Sequence, residues 1–490
     1  MSSESKMKQE PEDPALAQVT SILGTGEIQP HPATAHDDVF GSISADGPNY
    51  RDVGWLGTVA LMMKTQIGLG VLSIPSAFDT LGLIPGLICM LAIAVITTWS
   101  DYMIGVFKLN HREVYSIADA GGLMFGRTGR LFFGGAFVLY WIFVAGSGML
   151  GISIGLNAVS THGACTAIFV AVAAIIGFAF GSIRTLGNLG FPAWIGLSCI
   201  LTAIFTVTIA VGVQDRPSEA PHTPGPWTSD YKLVGNPSFT EAITAVSSLI
   251  FAYCGTPAFF AIVSEMRDPK YYTRSLMICQ SGVTAIYTTI GTIVYYYCGS
   301  YVASPALGSA GPTVKKVAYG FALPGLIVTT MLVIHAFLER GSALSQVIYQ
   351  LPAKIIFIRL LRGSRHLTSN TRTHWITWLS CTFGITMIAY VIASAIPVFN
   401  GLVSLIGALL GTLMSFQPMA CMWLYDNWTS GKSDRRVRWV LMVSWCVFVI
   451  GIGTFCMVAG TYGSVVGVVG SYRETGGSGA WSCVDNSGSV

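Results

Sequence analysis

The chain has 490 residues, 52% of them hydrophobic and 10% charged, with a mean hydropathy of +0.60 and a formal net charge of +3. A soluble domain carries about 25% charged residues, so this composition excludes an ordinary water-soluble globule and predicts an all-α polytopic protein whose partner is the lipid bilayer. The near-neutral charge gives no reason to expect a nucleic-acid partner, and the 55 glycines suit close helix packing in a membrane.

Residues 1–50 are polar, with Lys6, Lys8 and acids scattered from Glu4 to Asp46, and they read as a disordered cytoplasmic tail without a cleavable signal peptide. A membrane domain follows over 51–465. A bilayer core takes about 20 apolar residues per helix, and eleven segments qualify: about 54–78, 83–105, 131–156, 164–181, 191–213, 238–266, 275–300, 321–339, 375–396, 398–425 and 439–462. The stretch 107–130 predicts a short interfacial helix rather than a further span. Residues 466–490 are rich in Gly and Ser and read as a flexible extracellular tail. Eleven cysteines lie mostly inside apolar runs with no CxxC pair, a pattern that indicates neither a metal site nor a disulfide framework. No cofactor is indicated either.

Charge tests the topology. With the N-terminus in the cytoplasm, twenty-one of the 27 Lys and Arg fall on the inner side and five on the outer, while Lys64 lies within a span. The expected arrangement is therefore N-terminus inside, eleven spans, C-terminus outside.

Two spans are interrupted. The first reads Met62-Met63-Lys64-Thr65-Gln66-Ile67-Gly68-Leu69-Gly70-Val71-Leu72-Ser73-Ile74-Pro75, with Gly68 and Gly70 near mid-membrane. The sixth reads Phe251-Ala252-Tyr253-Cys254-Gly255-Thr256-Pro257-Ala258-Phe259-Phe260, with Gly255 and Pro257 at a comparable depth. Helix breakers survive there where the freed backbone groups find partners or line a cavity. The two breaks fall in the first helix of each of two five-helix sets, 54–213 and 238–425. An odd number of helices per set forces opposite orientation, and matched breaks in inverted halves point to a transporter binding site. The span 439–462 is then an extra helix.

The run Gly68-Leu69-Gly70-Val71-Leu72-Ser73-Ile74-Pro75 and the segment Phe251 to Asp268, ending Ile262-Val263-Ser264-Glu265-Met266-Arg267-Asp268-Pro269, resemble the amino acid/auxin permease family. The likeness covers about 50–465 and is strongest toward its fungal branch of neutral amino acid permeases of methyltryptophan-resistance type. It implies a five-plus-five inverted repeat of the LeuT-like type and proton-coupled import of neutral amino acids at the plasma membrane. Sodium-coupled relatives often carry Asn where this chain has Lys64.

An amino acid presents a carboxylate, an ammonium and a variable side chain. The carboxylate suits the backbone N–H groups of Gly68, Leu69 and Gly70, at the start of the outer half-helix where the dipole favours an anion. The ammonium suits carbonyls around Gln66, Ile67, Ala252 and Tyr253, with the hydroxyls of Thr65 and Thr256 as supplements. Tyr140, Trp141, Phe259 and Phe260 are candidates to meet the side chain. The absence of an available acid near mid-membrane argues for neutral substrates. Lys64, expensive at a helix centre, is expected to replace a sodium ion or exchange a proton, and His335 is a second candidate for proton relay. Glu265 and Glu339 read as gates or caps paired with Arg267, Arg274 or Arg340 rather than as proton carriers. The chain shows no catalytic motif, so an enzyme is not expected. It also lacks the filter loop or charge rings of a channel. An amino acid sensor built on a transporter scaffold is the alternative.

Overall fold

In hydrocarbon every backbone N–H and C=O must be satisfied within the protein, so long apolar runs fold as helices. The computed structural model describes residues 35–37, 41–43, 53–182, 190–221, 227–334, 371–433, 437–474 and 481–488. Its helices are α1 Trp55–Gln66, α2 Ile74–Leu81, α3 Leu83–Asn110, α4 Ile117–Ser160, α5 Thr166–Gly181, α6 Gly190–Val213, α7 Phe239–Ala252 and α8 Phe259–Ser264. There follow α9 Tyr272–Cys298, α10 Pro312–Ile334, α11 Arg372–Ala395, α12 Phe399–Ile406, α13 Thr412–Ser415, α14 Gln417–Ser433 and α15 Val437–Glu474. A π-helical turn, Gly407–Gly411, joins α12 to α13. Within the expected tail a two-stranded antiparallel ribbon pairs Ala35–Asp37 with Gly41–Ile43.

Each of the eleven expected spans overlaps one, two or, for 398–425, three of these helices. By length and composition, however, eight helices among the described residues qualify as membrane-crossing, and nine if the bent pair α1 and α2 counts as one span. The difference has a physical basis. Helix α5 has 16 residues, fewer than a full crossing needs, and the eighth expected span is described only as far as Ile334.

The expected interfacial helix forms the first part of α4. Ser116 caps it reciprocally with Asp119, and Gly126 breaks the helical path at φ 66°, ψ −154°, a conformation that a residue with a Cβ rarely adopts. Beyond that kink the chain turns into a long span packed against α10, α11 and α5. Burial separates centre from rim: the best window of the span Phe239–Ser264 is 89% buried, against 22% for Val437–Arg473. The break in α7/α8 thus lies at the heart of the bundle, while most of α15 faces lipid.

The C-terminal reading needs two corrections. Helix α15 continues to Glu474, and residues 481–488 are held rather than flexible. Cys483 is disulfide-bonded to Cys165 across a sequence separation of 318. Asn157 donates to Asn486 (2.7 Å), Asn486 donates to the Ser153 hydroxyl (3.1 Å), and Lys315 donates to the Gly488 carbonyl (2.8 Å). No local spacing foretold this disulfide, because the helical bundle, not the sequence, brings the α4–α5 loop beside the end of the chain.

Candidate functional site

The α1 helix stops at Gln66. Ile67 takes extended ψ (97°) while its N–H still reaches the Met63 carbonyl at 2.7 Å. A 3-10 turn, Gly70–Ser73, then leads into α2, which Pro75 helps to start; α1 and the stretch Gly70–Leu81 are bent by 43°. Between the two halves the N–H groups of Gly68, Leu69 and Gly70 meet no acceptor among the described residues. A side chain built at Gly68 would meet nothing within 4 Å, and the neighbouring Thr65 is exposed. Three adjacent donors at a half-helix N-terminus, with open space beside Gly68, can hold a carboxylate.

The second interruption follows Ala252. Tyr253, Cys254 and Gly255 turn back through hydrogen bonds to Ile250, Phe251 and Tyr253, and the 3-10 turn Thr256–Ala258 restarts the helix at Phe259. The two interruptions press against each other. A Cβ at Gly70 would lie 2.5 Å from the Ala252 Cα, and one at Gly255 would lie 2.6 Å from the Gln66 Cγ and 2.8 Å from the Thr65 Oγ1.

Tyr287, from α9, joins the two breaks. Its hydroxyl sits 2.8 Å from the Gln66 carbonyl and 2.8 Å from the Ala252 carbonyl, and it can donate to either. Two of the four carbonyls assigned to the ammonium therefore share one phenol hydrogen, which serves one of them at a time. A third, that of Tyr253, accepts from Gly255 N–H at 2.9 Å. The Tyr253 side chain points to Thr284 (3.2 Å) and packs edge-on to Tyr287. Tyr140 donates to the Cys254 carbonyl, and the buried Trp141 indole N–H beside it has no partner within the described structure. Ile67, Leu69, Phe259 and Phe260 are buried; Leu69 reaches across to Gly151 of α4. The two threonines part ways. Thr65 donates to its own helix at Met62 (2.8 Å), whereas the buried Thr256 hydroxyl faces Asp101.

Asp101 corrects the sequence reading that no acid is available in the core. It lies on α3, fully buried, and accepts from the Gln280 amide at 2.5 Å. Sequence reasoning passed over it although an acid within a span is itself a signal of function. Tyr287 carried no comparable signal, since its role depends on which carbonyls the fold sets before it.

Lys64 is buried and donates to the Thr329 hydroxyl of α10 at 2.5 Å, and that hydroxyl passes a bond to the Gly325 carbonyl at 2.8 Å. Gly196 of α6 leaves room for it, since a Cβ there would lie 2.9 Å from the Lys64 Cε. No carboxylate among the described residues pairs with this ammonium. His335, Glu339 and Arg340 lie outside the described residues. Glu265 accepts from Tyr115 at 3.4 Å, and its backbone and that of Arg267 pair with Val53 (3.4 and 3.0 Å), which ties the start of the domain to the C-terminal end of the sixth span.

Comparison with known proteins adds the following. The family model described as transmembrane amino acid transporter protein matches residues 51–466. A transmembrane transporter of Fusarium pseudograminearum is 34% identical over 450 residues, 91% of this chain and 90% of its own length. The N amino acid transport system protein of Neurospora crassa is 32% identical over 436 residues, 89% of each chain. Among solved structures, Mhp1, a nucleobase-cation-symport-1 family transporter in a closed conformation with bromovinylhydantoin bound, is similar over 94% of this chain and 99% of its own, at 12% identity and a TM-score of 0.49.

Proposed function

The chain belongs to the transmembrane amino acid transporter family, whose members are transporters and not enzymes, and from that premise we propose that it imports neutral aliphatic and aromatic amino acids by proton symport with alternating access. The observation that carries this reading is the break after Gln66. There the N–H groups of Gly68, Leu69 and Gly70 stand without acceptors and Gly68 looks onto open space, which suits the carboxylate common to all amino acids. That both interruptions fall in the first helix of an expected five-helix set supports an inverted repeat, in which two half-bundles rock about the breaks.

Neutral selectivity rests on the inventory of acids. Among the described residues Asp101 is the one fully buried carboxyl, and it is turned to Gln280 and Thr256. A lysine or arginine substrate would find no free anion, whereas Trp141 and Phe259 offer apolar surface close to the breaks. Lys64 supports protons over sodium. Its ammonium lies between α1 and α10, and a second cation within a few ångströms would be repelled strongly in so dry an environment. The disulfide Cys165–Cys483 supports an extracellular C-terminus, since such bonds persist on the oxidising side of the plasma membrane.

Uptake by the purified protein in proteoliposomes tests this. Leucine, phenylalanine and tryptophan should accumulate when a pH gradient is imposed and compete with one another, lysine and glutamate should compete poorly, and exchanging sodium for choline should change nothing. Sodium-dependent accumulation, or equal competition by lysine, refutes the corresponding part of the reading.

A further inference from the structure

Asp101 is the acid that the site does not yet explain. It lies eighteen residues into α3, well within an apolar span, and no part of it is exposed. One carboxyl oxygen accepts from Gln280; the other meets no donor in bonding geometry, and neither does the Gln280 carbonyl oxygen. The Thr256 hydroxyl, at the restart of the interrupted helix, faces the carboxyl and is itself without a formed hydrogen bond. The titratable groups that face it are Tyr272 and Cys279 from α9 and Cys254 from the break, none of them a cation; Tyr272 donates to the Asp101 backbone carbonyl at 2.8 Å. From α14 the one acid, Asp426, is engaged at the cytoplasmic end with His111 and Asn110. A bare carboxylate in this setting lacks both solvent and a counter-charge, which is costly in hydrocarbon. A carboxylic acid suits it: the added O–H gives the idle oxygen a hydrogen to donate, and the Thr256 oxygen is the acceptor at hand.

We propose that Asp101 is the proton-binding residue of the transport cycle, and that Thr256 passes its protonation state to the break in the sixth span. The step is a simple protonation. A proton from outside adds to the Asp101 carboxylate as substrate binds, and the acid's O–H then donates to Thr256. When the site opens inward the proton leaves to the cytoplasm, the carboxylate is restored, and the Thr256 hydroxyl reverses to donate to it. The reversal acts on Thr256, three residues from Tyr253 and four from Ala252, so loading of the proton and closure of the break are mechanically joined. This inference rests on the symport reading and deepens it.

The test uses the full-length protein in proteoliposomes. Wild type should accumulate leucine under an inward pH gradient, and its exchange rate at equal pH on both sides should vary with that pH. Asp101→Asn should lose gradient-driven accumulation, and its residual exchange should no longer vary with pH. Asp101→Glu should restore accumulation with a displaced pH profile. Gradient-driven accumulation by Asp101→Asn overturns the proposal while leaving proton symport standing. A wild type indifferent to the pH gradient removes the symport reading itself. Should Asp101→Asn not reach the membrane, Asp101→Glu decides alone: a displaced profile supports the assignment and an unchanged one overturns it.

Discussion

The break after Gln66 and the break after Ala252 share a pattern in sequence, small residues and a proline in an apolar helix, yet they are finished differently. The first leaves donors open: three N–H groups without acceptors and a glycine that looks onto empty space. The second is closed by side chains, with Tyr287 on the Ala252 carbonyl, Tyr140 on that of Cys254, and Asp101 set against Thr256. Freed backbone groups in a membrane must either find partners in the protein or serve something that comes and goes. On the proposed reading, the first break would receive the substrate and the second would carry the machinery that answers to it.

The largest test of this contrast is at Gly70, where the breaks touch. A valine there would drive its Cβ into the Ala252 backbone at 2.5 Å, a contact no rotamer change relieves. Gly70→Val should fail to fold, visible as loss of monodisperse protein in detergent, because overpacking against backbone costs about 3 kcal/mol or more. Normal yield with lost uptake would return Gly70 to direct contact with the substrate. Lys64→Met comes next. Deleting the fixed ammonium leaves Asp101 the sole deep charge among the described residues, which should hinder proton release in the return step. Concentrative uptake should fall further than exchange, measured side by side in the same vesicles. Gly68→Ala isolates the open break, since its methyl enters free space. Expression should be normal and uptake should drop roughly tenfold, the equivalent of one hydrogen bond to a charged group at about 1.5 kcal/mol. The smallest effect is expected of Tyr287→Phe, which removes the one donor that the Gln66 and Ala252 carbonyls share. It should lower stability by about 1–2 kcal/mol in a thermal-shift assay and should leave the proton requirement in place.

Much of this arrangement was legible from residue types. Apolar length announced the spans, and Gly68, Gly70, Gly255 and Pro257 announced the breaks, because these residues mark helix ends whatever surrounds them. What the breaks do was harder to read. Gln66 and Ala252 looked like bearers of free carbonyls, and only the register of α9 sets a phenol between them. Asp101 was written in the sequence and missed, since one acid among Thr97, Thr98 and Ser100 resembles the polar end of a helix rather than its interior. Lys64 stood out for the opposite reason, being a lone cation in a long apolar run, but its partner Thr329 lies 265 residues away. The pairing of Cys165 with Cys483 belongs to the same class of fact: each lies in an unremarkable local setting, and only the assembled bundle makes them neighbours.

That pairing turns the transporter into a covalent ring. From Cys165 to Cys483 the chain closes on itself around a loop spanning 318 positions, which contains α5 through α15. A protease that cuts beside the exposed Asp215 or Glu219 therefore releases nothing: the two pieces migrate as one species until a thiol is added, and as two afterwards. Reduction alone loses no residue, but it should loosen residues 481–488 from Asn157, Ser153 and Lys315, whose side chains they link across the C-terminal end of α4 and the N-terminal end of α10.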